Sequence, residues 1–310
     1  MEYVTATRKE PSSSLEKALD DCTHGGDSRR VTLSNGVKAP VLGIGTFMIS
    51  PADTVNSVYS AIKLGYRLID TANAYMNEEA VGQGVKRAID EGIVKREDLF
   101  ISTKLWPTLY ENDAAVENSL KRLDMDYVDL LFIHQPSGSY MAGYRQLEKA
   151  YKEGKAKSLG ISNFYGEDLE ILLNESEIKP HVMQLEAHPY CTEKEVRDRV
   201  KEYGTVLMGW YPLGHGDPGL VKEEVFGKLA DKYRKSNAQI VLRWATQMNF
   251  ITIPGSKNPD HIRDNGDIFD FTLTDDEMTE IAKLDGTKKY YNASKEEVAK
   301  YATMHLLFEG

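Results

Sequence analysis

From Val41 to about residue 285 the chain repeats one pattern, a short apolar run followed by an amphipathic segment and then another apolar run. Parallel strands need a crossover helix to bring the chain back, so this rhythm marks βα units. Strands are expected at 41–45, 66–70, 100–104, 128–134, 156–162, 182–186, 206–211 and 251–254. Eight such units imply an α/β fold closed as a (β/α)8 TIM barrel. A doubly wound sheet would use fewer strands and a glycine-rich phosphate loop after the first, and Gly43-Ile44-Gly45 lacks the third glycine of that loop.

Between the strands, apolar residues recur at helical spacing: Val55, Val58 and Ile62, then Val116, Leu120 and Leu123, then Val196, Val200 and Tyr203. Ser50, Thr192 and Thr274 each stand as a cap before an acidic first turn. Two helical patterns, 222–234 and 236–248, share the connection before the last strand, so an extra helix precedes the seventh barrel helix. Ahead of the barrel, Val31-Thr32-Leu33 and Val37-Lys38-Ala39 flank Asn35-Gly36 and predict a hairpin with a tight turn at that pair. Residues 1–29 read as an extension with at most a short helical turn at Leu15–Leu19, and 30–310 as a single domain. The final stretch, with Tyr290-Tyr291, a helix capped by Ser294 and Leu306-Leu307-Phe308, is expected to fold back over the barrel.

A formal net charge of −10 argues against a nonspecific grip on nucleic acid or an anionic membrane. No apolar run approaches the ~20 residues of a membrane helix, and the N-terminus does not read as a secretory signal. Cys22 and Cys191 are too few for a disulfide framework, which fits a reducing cytoplasm. A monomer is expected, with a dimer left open.

In a βα barrel the strand ends and the loops after them build the active site. Here the second strand delivers Asp70 and then Tyr75, the third Lys104 and Trp106, and the fourth His134. A phenol can protonate a developing alkoxide, and a neighbouring ammonium is expected to lower its pKa. Lys104 is placed to supply that field, Asp70 to keep the lysine charged, and His134 to hydrogen-bond a carbonyl oxygen. Singly, each has a structural reading as a cap, a surface charge or a packing group; four suitable groups at consecutive strand ends favour catalysis.

These runs, Leu68-Ile69-Asp70-Thr71-Ala72 to Tyr75, Ile101 to Trp106 and Asp129 to His134, resemble the aldo-keto reductase superfamily. The resemblance continues through Gly160-Ile161-Ser162-Asn163-Phe164, Gln184 to Tyr190 and Leu242-Arg243-Trp244. It implies NAD(P)H-dependent reduction of aldehydes and ketones, with Tyr75 as proton donor and a small-molecule carbonyl substrate. Ser162, Asn163 and Gln184 are then expected at the nicotinamide carboxamide. Thr46 and Leu213 are expected elsewhere along the cofactor, with Phe47 and Trp106 in the substrate pocket.

Two departures from the family pattern stand out. Where it has Tyr-Ser-Pro-Leu-Gly this chain has Trp210-Tyr211-Pro212-Leu213-Gly214, which makes Trp210 the ring that stacks on nicotinamide. NADPH-preferring members show Pro-Lys-Ser and, five residues after that serine, an arginine; Gly255 and His261 stand here instead. Ser256, Lys257 and Asn265 remain as expected cofactor contacts, with Arg263 as another nearby cation, so NADP(H) is favoured while NAD(H) stays open. Other readings are a catalytically idle nicotinamide-binding regulatory or partner subunit, and an aldolase or isomerase using Lys104 as a Schiff base. Metal sites and a cysteine nucleophile lack the necessary patterns.

Overall fold

The computed structural model describes residues 29–306; Leu15–Leu19, Leu307 and Phe308 lie outside them. A hairpin of β1 (Arg30–Thr32) and β2 (Lys38–Pro40) precedes an eight-stranded parallel sheet. The sheet runs in chain order through β3 (Ile44–Gly45), β4 (Leu68–Asp70), β5 (Phe100–Leu105), β6 (Leu130–Ile133), β7 (Leu159–Ser162), β8 (Val182–Glu186), β9 (Val206–Trp210) and β10 (Ile251–Thr252). A parallel bridge between Leu42 and Thr252 closes it into the barrel, and Thr252 N–H donates to Val41 O at 2.8 Å. Gly45 sits at that seam: a Cβ there would lie 2.8 Å from Ile253 O.

Helices α1 (Pro51–Lys63), α2 (Glu78–Asp90), α3 (Ala115–Leu123), α4 (Tyr140–Lys152), α5 (Gly166–Glu175) and α6 (Lys194–Val200) follow the first six barrel strands in turn. The connection before β10 carries α7 (Pro218–Val221), α8 (Glu224–Tyr233) and α9 (Asn237–Gln247), one short helix more than expected. Then come α10 (Pro259–Gly266), α11 (Asp275–Ala282) and α12 (Lys295–Lys300). Ser50, Thr274 and Ser294 cap α1, α11 and α12 as expected. Thr192 does not cap α6, because both its backbone N–H and its hydroxyl are taken by the Asp285 carboxylate, at 2.9 and 2.6 Å.

Alternation along the strands sorts the barrel's contents. Side chains two residues apart share a face, so Leu68, Phe100, Leu130, Phe132, Val182, Met208 and Ile251 form one interior cluster. Leu33 and Ala39 of the hairpin segment join that cluster and plug the bottom. The hairpin turn differs from the two-residue form: Gly36 alone takes a positive φ, +86°, and Leu33 N–H reaches Val37 O at 2.8 Å. Asn35 is not at positive φ, and its side chain donates to Lys157 O at 2.9 Å and accepts from Val37 N–H.

Candidate active site

The same parity that buries the apolar plug puts polar side chains in the layer above it: Asp70 two residues beyond Leu68, Lys104 beyond Ser102, His134 beyond Phe132, and Gln184 beyond Val182. Lys104 is fully buried and donates to Asp70 Oδ2 at 2.7 Å, to Thr71 O at 2.8 Å and to the Tyr75 hydroxyl at 3.3 Å. Asp70 also accepts from Ser102 Oγ at 2.7 Å and Gln184 Nε2 at 3.1 Å. The carboxylate is thus saturated and the ammonium fixed, as a buried ion pair requires.

Tyr75 rides on a single helical turn, Asn73–Tyr75, ended by Met76 at φ +55°. The next residue, Asn77, ties that turn to the loop after β3. Its amide donates to Thr46 O at 2.9 Å and Ile49 O at 3.2 Å, and its oxygen accepts from Thr71 Oγ1 at 2.8 Å. Sequence reasoning passed over Asn77, although an amide two residues beyond the candidate acid and just before Glu78-Glu79 was the available signal. The Tyr75 and His134 rings meet edge-on at 5.7 Å, and Trp106 closes the far side of His134 at 5.1 Å.

The electrostatics correct one expectation. Lys104 does not bring the resting Tyr75 phenol down; burial and the Asp70 carboxylate hold its pKa well above the ordinary phenol value. Asp70 lies against Lys104, so the pair presents little net charge to Tyr75 and desolvation wins. Burial also pulls Lys104 down, with Asp70 opposing. His134 is pushed well below the usual imidazole range by burial and by the Lys104 charge. At neutral pH the site therefore holds a protonated phenol beside a neutral imidazole.

These groups stand at one end of a cleft of about 520 Å³. Phe47, Trp106, Ser162, Asn163, Gln184, Trp210 and Leu213 line it. Four expected contacts are not part of its wall. Thr46 is buried, with its hydroxyl donating to Asp70 O at 3.1 Å. Ser256 turns to its own loop and accepts from Asn258 N–H at 3.1 Å. Lys257 pairs with Asp53 at 3.3 Å. Asn265 is buried on α10. Tyr291, Tyr301 and Met304 join the wall, the Trp106 indole N–H donating to Met304 O at 3.0 Å. The C-terminal segment thus folds back over the barrel as its apolar character implied.

The family model described as the aldo/keto reductase family matches residues 41–286. A glyoxal reductase of Bacillus subtilis is 46% identical over 259 residues, covering 82% of this chain and 92% of its own. An NAD(P)H-dependent D-xylose reductase of Candida tropicalis is 37% identical over 297 residues, with the same coverage of both chains. Among solved structures, a Bombyx mori aldo-keto reductase in complex with NADP superposes with a TM-score of 0.82 at 33% identity, covering 88% of this chain and 98% of that one. With the buried Asp70–Lys104 pair, Tyr75 and His134 at the rim of a closed eight-stranded barrel, this chain belongs to the aldo/keto reductase family and is an oxidoreductase acting on carbonyl groups.

Proposed function

We propose that the chain reduces largely apolar aldehydes and ketones to alcohols, with Tyr75 giving the proton. The observation that carries this reading is the Tyr75 hydroxyl, 3.3 Å from Lys104 Nζ and part of the cleft wall beside His134. A carbonyl oxygen seated between Tyr75 and His134 accepts hydrogen bonds from the phenol and from an imidazole N–H. As charge develops on that oxygen the phenol proton moves across to it. Lys104 acts at that moment, since its ammonium stabilises the phenolate left behind even though the resting phenol is hard to ionise. Asp70 keeps the ammonium oriented.

A reduced nicotinamide, when bound, supplies the hydride to the carbonyl carbon. The residues fit such a group: Asn163 Oδ1 is buried without a hydrogen-bond partner on the cleft wall, where a carboxamide N–H₂ would satisfy it. Ser162 and Gln184 stand beside it, and the Trp210 indole offers a flat face. NADP(H) is the favoured cofactor, in line with the Bombyx mori complex, but with weak discrimination against NAD(H). Lys257 is shared with Asp53, and Arg263 with Asp260 at 2.8 Å. A side chain at Gly255 would press on Gly45 O, its Cβ at 3.0 Å.

A Schiff-base role for Lys104 is disfavoured, because its ammonium is already bound by three acceptors and fully buried. Phe47, Met48 and Met304, all exposed, stand at the cleft wall and favour apolar substrates. We further place the chain in a reducing cytoplasm as a monomer, on its two cysteines and on the clustering of these apolar groups at the cleft.

The test is a carbonyl panel spanning glyoxals, pentoses and aliphatic and aromatic aldehydes, followed by NADPH and NADH oxidation for wild type and Tyr75→Phe. Turnover of apolar carbonyls and a roughly hundredfold or greater loss in the variant, the scale of general acid catalysis, are expected. Equal activity in the variant would remove Tyr75 as the acid, and turnover of pentoses alone would overturn the apolar substrate class.

A further inference from the structure

Glu186 is fully buried at the rim end of β8, two residues beyond Gln184 on the same face, and none of the roles above uses it. A carboxylate there is expensive to desolvate unless its lone pairs are filled. Three donors fill them. Tyr290 N–H reaches Oε1 at 2.7 Å, Tyr291 N–H reaches Oε2 at 2.7 Å, and His188 Nε2 stands 2.8 Å from Oε1. Burial alone would push this carboxyl up, but the three donors outweigh it and hold the pKa below the usual range. Two consecutive backbone amides on one carboxylate form a pincer, and the residues they belong to lie far along the chain, in the C-terminal segment.

That segment is the substrate side of the cleft. Tyr291 lines it, meets Trp210 edge-on at 5.7 Å, and its hydroxyl lies 3.3 Å from that of Tyr301. Tyr301 packs on Trp106 at 5.1 Å, and Trp106 holds Met304 O. The wall is thus a chain of aromatic contacts whose first member, Tyr291, is set by the Glu186 pincer. His188 aligns the carboxylate from behind, its ring 5.0 Å from that of Tyr290.

We propose that Glu186 is a positioning and specificity-determining residue: through the amides of Tyr290 and Tyr291 it fixes the C-terminal wall, and so selects among carbonyl substrates by how far they extend toward that wall. The inference rests on the reading that the cleft takes the carbonyl substrate. A carboxylate is required because it accepts at both oxygens, whereas a glutamine amide accepts at one and turns its N–H₂ toward a backbone N–H. Substrates too small to reach Tyr291 meet only Tyr75, His134 and Trp106, so loss of the pincer leaves them unaffected.

Glu186→Gln is compared with wild type as holoenzyme on methylglyoxal and decanal, with cofactor affinity from fluorescence quenching. The expected result is unchanged kcat and KM for methylglyoxal, unchanged cofactor affinity, and KM for decanal raised roughly tenfold or more, the scale of one lost hydrogen bond to a charged group. Equal loss of kcat on both substrates, or no change on either, overturns the proposal. Amide hydrogen exchange on the wild-type chain tests the pincer without a variant and without turnover. Tyr290 and Tyr291 amides should exchange markedly more slowly than that of Asn292, and equal rates overturn the proposal. A wild type inactive on decanal but protected at these amides would sink the apolar substrate class while leaving the pincer standing.

Discussion

At the scale of single residues, the Asp70–Lys104 pair separates stability from chemistry. Lys104→Met removes one partner of a buried pair and strands the Asp70 carboxylate among Ser102 and Gln184. That should destabilise the chain by about 3–5 kcal/mol and lower turnover. Adding Asp70→Asn removes the stranded charge, so urea unfolding should show most of the stability restored while turnover stays low. If the double variant recovers both, Lys104 has no part in the chemistry. The buried imidazole of His134 gives a pH prediction. Its folded pKa lies below the unfolded value near ~6.5, so the unfolded chain binds the proton first on acidification. Its stability contribution is full above ~6.5 and falls as pH drops below it, while kcat/KM should run flat through that value. A steep activity limb centred there would show that His134 titrates normally. Asp70, Tyr75, Lys104 and His134 were legible as candidates because each is a chemically loaded residue at a strand end or in the loop that follows it. Asn77 and Glu186 were not, since an amide and a carboxylate reveal their role only through backbone groups that the fold brings to them.

Elements show why boundaries were harder to read than the elements themselves. Apolar character runs past the hydrogen-bonded ladder, so 128–134 shrinks to β6 at Leu130–Ile133, with Val128 keeping only an isolated bridge to Ala156. β9 ends at Trp210 because Tyr211 turns to φ +53°. The ring of Tyr211 then stacks on His215 at 3.8 Å, a pairing no periodicity announces. Helix packing offers a sharper case at Gly82, inside α2. Alanine there would gain about 1 kcal/mol of helix propensity. Yet its Cβ would fall 2.4 Å from Leu123 O and 2.8 Å from Leu123 C, at the end of α3. Backbone cannot retreat as a flexible side chain does, and overpacking of this kind costs about 1–3 kcal/mol. Gly82→Ala should therefore destabilise by roughly 1 kcal/mol net and at most about 2, read as a lower urea midpoint. A raised midpoint would mean that α3 can shift away from α2.

For the molecule as a whole, cofactor choice depends on how the cations after β10 are already used. The net charge of −10 repels an anionic ligand at long range, so discrimination by the 2′-phosphate must come from local contacts. Lys257 and Arg263 each face a carboxylate, Asp53 at 3.3 Å and Asp260 at 2.8 Å, and both pairs are largely exposed. A phosphate would have to displace those partners, and in water such exchanges release little free energy. His261 is exposed on α10, where the family pattern carries arginine. His261→Arg adds a cation with no structural role to disturb, able to meet the phosphate in a bidentate geometry. NADPH affinity should tighten by roughly tenfold, about 1.4 kcal/mol, with NADH affinity unchanged. Thermal unfolding reads both at once, because a ligand that binds only the folded chain raises Tm by an amount that grows with the logarithm of the ratio of its concentration to Kd. The wild type should show nearly equal shifts with the two cofactors, and the variant a larger shift with NADPH alone. A wild-type shift with NADPH far above that with NADH would mean that Lys257 or Arg263 leaves its carboxylate for the phosphate.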